Sequence, residues 1–532
     1  MGNHKNYDVW GGESSPTTEG LDSIGKKDNG PIFVKEHDDE EEYELDSNGD
    51  MVRQQGMNWF ITGLCIVGEL AGGGIVALPT ALIQTQFWFG IVLTVIMSFV
   101  LSFTAYCLGQ CWVILQRMYP EYRAHCRKPY PEMGYRALGP VMKTIVSVFI
   151  DITLFGICVV FLLLVSKNIH DFIKAFFDGN VSYCIVILFV ALFLLPLTFL
   201  KSPKDFWWAI VSAMITTSTA VVFIIVGSTM DYDTCYKERG MPGFHVQDYF
   251  LAFATITFAY GGHSAFPTIQ HDMKKPAEFV KSTTMAFLIV LCMYTPVCIV
   301  AYLSYGDSIR DSVINSIQIK WIQQVINVCI TLHVILTLTI IFNPINQEAE
   351  EIFRVPHAFG VKRVLVRLGM MIAVVFVAES VPQFGPLLDL IGGSTMSFTA
   401  ILFPALFYVY LYTKEKVREE YKSHGIEYDR IPTIAQIFQH MPTWKLIACI
   451  IVMLLSLLGA GAATYSAIRE LSSTSFEVPC YVAPFLKNND NTANSGAHTN
   501  CCGRYQNISR YSHDTNFNLN KTCAKPNLKY YD

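Results

Sequence analysis

The chain has 532 residues, 52% of them hydrophobic and 16% charged, with a mean hydropathy of +0.34. That composition belongs to a polytopic membrane protein and excludes an ordinary soluble globular domain. The formal net charge of −5 hides an asymmetry, because residues 1–56 carry 14 acidic and 5 basic residues, a net of −9, which leaves +4 for the remainder.

Residues 1–56 are polar and acidic, with the run HDDEEEYELD at 37–46. Such a segment buries too little apolar surface to fold, so a disordered cytosolic tail is expected there. The chain does not begin with a basic, apolar signal peptide, and its MGNHKN start has Asn6 where myristoylation wants Ser or Thr.

Residues 58–83, WFITGLCIVGELAGGGIVALPTALIQ, have membrane-spanning length but carry Glu69, Gly72-Gly73-Gly74 and Pro79 in their middle. Glycines in series weaken a helix, and a carboxylate at the bilayer centre is costly. A helix broken at mid-membrane would free backbone groups that lipid cannot satisfy but a solute can. Close packing of a neighbouring helix on the small residues is the competing explanation.

Ten further apolar segments follow, at about 87–115, 141–168, 182–200, 206–229, 248–270, 282–304, 322–347, 364–381, 386–411 and 444–468. Long apolar runs of this kind are helices rather than barrel strands. Loops on the starting side hold Arg117, Arg123, Arg127, Lys128, Arg136, Lys201, Lys204, Lys274, Lys275, Arg354, Lys362, Arg363, Lys414, Lys416, Arg418, Lys422 and Arg430. Opposite loops hold only Lys174, Lys237, Arg239, Arg310 and Lys320. The positive-inside rule puts the N-terminus in the cytosol, and an odd number of spans sends the C-terminal tail outside or into a lumen. Sequons at Asn180, Asn507 and Asn520 fall on predicted outer segments, as glycosylation requires. Of 15 cysteines, Cys480, Cys501, Cys502 and Cys523 lie in the outer tail and Cys235 in an outer loop, where disulfides are permitted. A Cys184–Cys235 bridge is expected.

The sixth segment, YFLAFATITFAYGGHSAFPTIQHDM, repeats the interruption with Gly261-Gly262, His263 and Pro267. Five spans separate the two breaks, so they cross in opposite senses. Interrupted helices at corresponding places of oppositely oriented halves point to an inverted-repeat transporter with its site where the breaks meet. The expected fold class is an all-α polytopic membrane protein of eleven transmembrane helices, a five-plus-five inverted repeat with helices 1 and 6 broken at mid-membrane. Residues 1–56 form the tail, 57–468 the transporter domain and 469–532 a cysteine-containing outer tail.

AGGGIVALP in the first span and FAYGGHSAFPTIQHDMKKP in the sixth resemble the amino acid/auxin permease family. The resemblance covers about residues 56–468. It implies the amino acid/polyamine/organocation fold, a zwitterionic amino acid held at the two breaks, and symport driven by H+ or, in some members, Na+. The long cysteine-bearing tail differs from the shorter ends of many members.

The residues support that reading independently. Beyond the first break, unpaired N–H groups and the positive end of the helix dipole suit a carboxylate at Gly72, Gly73, Gly74 and Ile75. Freed carbonyls near Phe258, Ala259 and Tyr260 suit an ammonium. Tyr260, Ser264 and Phe155 on the third span are the candidates for side-chain selection, with helix packing the stronger explanation for Phe155. Glu69 and His263 are the candidate proton carriers, since an imidazole titrates near neutrality and an apolar setting favours a neutral carboxyl. His263 serves equally as a neutral residue orienting the unwound chain. A sodium site would instead use Gly68, Ala71, Thr331, Thr337 and Thr339. Asp151, His333, Glu379 and Asp389 are further intramembrane ionisable groups. Glu379 and Asp389 are expected near the outer face and solvated; His333 is expected nearer the outer third of its span, with interhelical hydrogen bonding its stronger explanation.

The leading expectation is an amino acid symporter, probable partner ion H+, with a Na+-coupled symporter and a non-transporting sensor of the same fold as alternatives. No enzyme, metal, cofactor or nucleic-acid partner is expected, for lack of nucleophile–base spacing, metal-ligand spacing and a basic patch interleaved with aromatics. Plasma membrane is the default location, with lysosomal and vesicular membranes open, and the oligomeric state is not legible.

Overall fold

The computed structural model describes residues 43–47, 49–124, 126–177, 181–199, 207–236, 241, 243–306, 309–356, 360–473 and 482. In chain order the helices are α1 (Trp59–Leu70), α2 (Gly74–Thr85), α3 (Phe87–Met118), α4 (Pro129–Leu138), α5 (Pro140–Phe177), α6 (Tyr183–Leu197), α7 (Trp207–Cys235), α8 (Val246–Ala259), α9 (Phe266–His271), α10 (Phe279–Tyr305), α11 (Lys320–Ile352), α12 (Val361–Ser380), α13 (Phe384–Ile391), α14 (Phe403–Ser423), α15 (Ile434–His440) and α16 (Thr443–Ser473). Two π-helical stretches, Gly392–Met396 and Phe398–Leu402, join α13 to α14.

Each of the eleven apolar segments is helical. Among the described residues, seven stretches are long and apolar enough to cross a membrane, and the pair α1 and α2, bent by 63°, makes an eighth. The other three segments fall short on stated grounds. α6 has 15 residues, α8 and α9 are separated by an irregular stretch, and α12 carries Lys362, Arg363, Arg367 and Glu379. The protein is therefore a mostly helical, multi-pass membrane protein, with seven or eight spans by length and composition among the described residues.

Exposure matches a lipid-facing surface. On α3, Trp88, Phe89, Val92, Ile96 and Phe99 are exposed at helical spacing, while Met97, Leu101 and Leu108 on the other side are buried. On α6, Leu188, Phe189, Leu192 and Phe193 are exposed. Apolar stripes of this extent are stable in hydrocarbon and a liability in water. Inside, α2 packs on α8, α1 on α10, α7 on α11 and α3 on α14, so both broken helices sit at the centre.

The acidic tail differs from expectation at its end. Residues 1–42 lie outside the described residues, but Tyr43–Leu45 and Met51–Arg53 pair as a two-stranded antiparallel hairpin. Its attachments supply the stability its composition lacks. The Arg53 guanidinium donates to the His271 carbonyl at the end of α9, and Arg117 Nε donates to Asp50 Oδ1 at 2.6 Å. Met57 then pairs in parallel with Met273, through Met57 N to Asp272 O at 3.1 Å and Lys274 N to Met57 O at 2.8 Å. Gly56 makes the approach feasible, for its φ is +135° and a β-carbon would stand 2.7 Å from Lys274 N. At the same end, Lys128 pairs with Glu348 and Glu351 at 2.6 and 2.9 Å, and Glu350 with Arg363 and Arg367 at 2.9 and 2.6 Å.

Candidate functional site

α1 ends at Leu70 and α2 starts at Gly74, leaving Ala71-Gly72-Gly73 as the break. The N–H groups of Gly72, Gly73 and Gly74 have no acceptor among the described residues, whereas Ile75 N donates to Gly72 O at 3.3 Å. Three of the four predicted seat residues thus offer free donors at a helix N-terminus, where the dipole favours an anion. Only glycine fits here. A β-carbon on Gly74 would stand 2.5 Å from Ala259 Cα, one on Gly73 2.8 Å from the Phe161 ring, and one on Gly72 3.0 Å from His333 Nε2.

The second break runs from Tyr260 to Ala265 between α8 and α9. The Gly74–Ala259 approach brings the two breaks into direct contact, as the sequence expects. Its carbonyls are partly engaged: Phe258 O accepts from Gly261 N and Tyr260 O from Gly262 N, both at 3.3 Å. The Tyr294 hydroxyl on α10 spans both breaks, lying 2.7 Å from Leu70 O and 3.1 Å from Ala259 O. Each carbonyl has a second lone pair, so acceptors remain for an ammonium. Tyr260 is fully buried, with its ring stacked at 6.1 Å on Phe287. Ser264 is half-buried beside it in sequence.

The two histidines take opposite tautomers. His263 Nε2 lies 3.0 Å from the Leu101 carbonyl and 3.0 Å from Thr104 Oγ1 on α3. A carbonyl only accepts, so Nε2 carries the proton; Nδ1 is buried without a partner. This geometry suits a neutral residue that anchors the unwound chain to α3. His333 Nδ1 lies 3.0 Å from the Ala213 carbonyl and 2.7 Å from Thr217 Oγ1 on α7, so there Nδ1 carries the proton and Nε2, facing Gly72, is the acceptor. These are bonds between helices, the role expected of His333 on the stronger of its two readings. α11 runs from Lys320 to Ile352, so His333 falls on its middle turns, against the break.

Glu69 is half-buried one turn before the first break. Its Cγ is 3.2 Å from where a Gly262 β-carbon would sit, and its carboxyl has no hydrogen-bonding or ionic partner among the described residues. It thus touches both interrupted helices. The sodium oxygens are less well gathered. Thr337 lies 3.2 Å from His333 Nε2, but Thr339 donates back to Ile335 O at 3.0 Å and Thr331 makes no hydrogen bond among the described residues. Gly68 is buried in α1 and Ala71 caps it.

Phe161, not Phe155, stands over the glycines, and it meets Phe258 edge-on at 6.2 Å. Phe155 is half-buried against the general core. Six residues separate the two, which places them on different faces of α5. The solvation expected for Glu379 and Asp389 is corrected, since both are buried, and Asp389 Oδ1 accepts from Thr255 Oγ1 at 2.5 Å. Asp151 is half-buried on α5. Cys184 and Cys235 are each disulfide-bonded. Asn180, Asn507, Asn520, Cys480, Cys501, Cys502 and Cys523 lie outside the described residues. A cavity of about 870 Å³ lies at the hairpin end among Lys128, Arg136, Glu132 and Glu351, and none of its lining residues belongs to the breaks.

The profile of the family described as transmembrane amino acid transporter protein matches residues 55–425. Amino acid transporter AVT1J of Arabidopsis thaliana is 25% identical over 413 residues, covering 75% of this chain and 90% of that protein. Lysine histidine transporter-like 4 of the same plant is 23% identical over 403 residues, covering 70% and 85%. Among solved structures, the Eremococcus coleocola manganese transporter aligns with a TM-score of 0.45 at 13% identity over 81% of this chain and 88% of that one. Mhp1 in its inward-facing conformation aligns at 0.43 and 11% over 80% and 95%. With the family profile spanning well over half its length, the chain belongs to the transmembrane amino acid transporter family.

Proposed function

We propose that this protein is a secondary active symporter that binds an amino acid where α1/α2 and α8/α9 are interrupted and moves it with H+ by alternating access. The observation that carries the reading is the pair of breaks in contact, with unpaired N–H groups at Gly72–Gly74 facing carbonyl ends at Leu70 and Ala259 that a single hydroxyl spans. The substrate carboxylate sits on the first set and its ammonium on the second. Tyr260, Ser264 and Phe161 bound the side chain. In this reading the eleven helical segments all cross the membrane, the first ten as an inverted repeat, with the N-terminus in the cytosol and the plasma membrane as the location.

Glu69 is the proton carrier in this scheme. It touches both broken helices, is unpaired, and needs neutralising before apolar surroundings close on it. His333 offers a second carrier, because protonation of Nε2 turns an acceptor facing the carboxylate seat into a donor. Thr337 turned to His333 and Thr339 bonded back to its own helix favour H+ over Na+. The test is radiolabelled amino acid uptake at outer pH of about 5.5 and 7.5, spanning the imidazole range, with and without Na+. Uptake that rises with acidity and ignores Na+ supports the scheme. A strict Na+ requirement overturns H+ coupling. Absence of uptake from surface-expressed and from liposome-reconstituted protein overturns transport in favour of sensing.

A further inference from the structure

The connection from α13 to α14 passes the second break as the two π-helical stretches, Gly392–Met396 and Phe398–Leu402. This backbone form is rare and concentrates at functional sites. We infer that the first stretch is a further wall of the substrate site, and that Met396 on it sets the longest amino acid side chain the site accepts.

Three observations carry the assignment. The stretch lies directly on the second interrupted helix. A β-carbon on Gly392 would stand 2.2 Å from Ala254 O and 3.0 Å from Phe258 Cβ on α8, and one on Gly393 would stand 2.8 Å from Ala463 Cβ on α16. Met396, one turn beyond Gly392, reaches the break itself. A β-carbon on Gly261 would stand 2.6 Å from Met396 Sδ and 2.7 Å from its Cε, so the thioether end fills the space that Gly261 leaves open. Met396 is only 3% exposed, which makes it an inward group and not a lipid-facing one. The lining around the breaks is also close and largely apolar. A β-carbon would meet the Phe161 ring at 2.8 Å from Gly73 and the Phe266 ring at 2.9 Å from Gly262, and Phe161 in turn meets Phe258, which rests on Gly392.

The chemistry of the breaks leaves selection to such groups. Backbone N–H and C=O groups hold the carboxylate and ammonium that every amino acid shares, so they do not tell one side chain from another. Tyr260 is pinned by burial and by its stacking on Phe287. Met396 is unbranched and ends in a polarisable thioether, so a short substrate side chain fits beside it, whereas a long one must push it into a close-packed interior. The inference rests on the amino acid reading of the breaks for where the substrate's charged ends lie.

The experiment is uptake of radiolabelled alanine, leucine, phenylalanine and lysine by the full chain in liposomes. Vmax/KM values are compared as ratios, so that losses of folded protein cancel. The parent is expected to take alanine best. Met396→Ala removes a methylene, the sulfur and a methyl, as many heavy atoms as leucine has beyond alanine, so the leucine-to-alanine ratio should rise about tenfold or more. Gly461→Ala on α16, where an added β-carbon meets nothing within 4 Å, should keep the parent ratio. Should Met396→Ala fail to give monodisperse protein, Met396→Val carries the test with a smaller rise in the same direction. Shortened variants that lower the uptake of every amino acid alike, with the ratio unmoved, overturn the inference and leave Met396 a packing residue. A parent that prefers leucine, phenylalanine or lysine to alanine overturns it too. Uptake with an unmoved ratio leaves the transport reading standing, whereas a parent that takes up no radiolabelled amino acid overturns both together.

Discussion

Gly74→Ala adds one methyl group at the tightest contact between the two interrupted helices. The new carbon would stand 2.5 Å from Ala259 Cα and 2.9 Å from its Cβ, against 3.4–4 Å for ordinary contact. Neither neighbour is a flexible side-chain end, so the helices must part by about 1 Å, and overpacking of this kind costs about 1–3 kcal/mol. Where that cost falls on the closed, substrate-holding arrangement, amino acid affinity drops by about 5–150-fold. The assay is concentration-dependent uptake normalised to surface protein, beside Gly461→Ala in α16, where an added β-carbon meets nothing within 4 Å. The control should transport normally and melt no lower than the parent, since alanine is the better helix former. Unchanged affinity in Gly74→Ala would refute the close-contact account of the site.

Glu69→Gln should flatten the pH dependence of uptake while leaving folding intact; an unchanged pH profile would move the proton to His333. Tyr294→Phe removes the hydroxyl spanning Leu70 O and Ala259 O, and leaving buried carbonyls without that donor should lower stability by about 1–3 kcal/mol, read as a drop in melting temperature in nanodiscs. Arg53→Ala should loosen the hairpin from α9 and expose Cys126, whose N–H bonds His271 Nε2 at 3.3 Å. Burial pushes the Cys126 thiol up to about 11, so its return toward the ordinary cysteine range raises the thiolate fraction, and maleimide labelling near neutral pH should quicken several-fold. Equal labelling rates would show the hairpin does not shield that face.

The eleven helical segments and both interruptions were legible because each rests on local chemistry: apolar length for a span, glycine triplets and pairs for a break. Contacts between segments were not. The place of His333 beside the first break was not legible, because hydropathy fixes neither where along its long helix the neighbouring break falls nor which side of the helix faces it. Phe155 and Phe161 were indistinguishable by composition, and only the rotation of α5 brings Phe161 over Gly73. Asp389 read as solvated because α8 and α16, which cover it, lie far away in sequence. The hairpin was masked by its acidity, since Asp50 and Arg53 find their partners on α3 and α9.

The Met57–Met273 pairing joins the entry of the first interrupted helix to the exit of the second. Three backbone hydrogen bonds and the Arg53 guanidinium hold that junction. Each bond is worth a net of about 0.5–1.5 kcal/mol, so parting the two helices at this end means releasing several together. The junction is therefore a clasp that ties the two interrupted helices together at one end. In the alternating-access scheme proposed above, releasing this junction would belong to the stroke that opens this end, so part of that barrier would be set by residues that never touch the cargo.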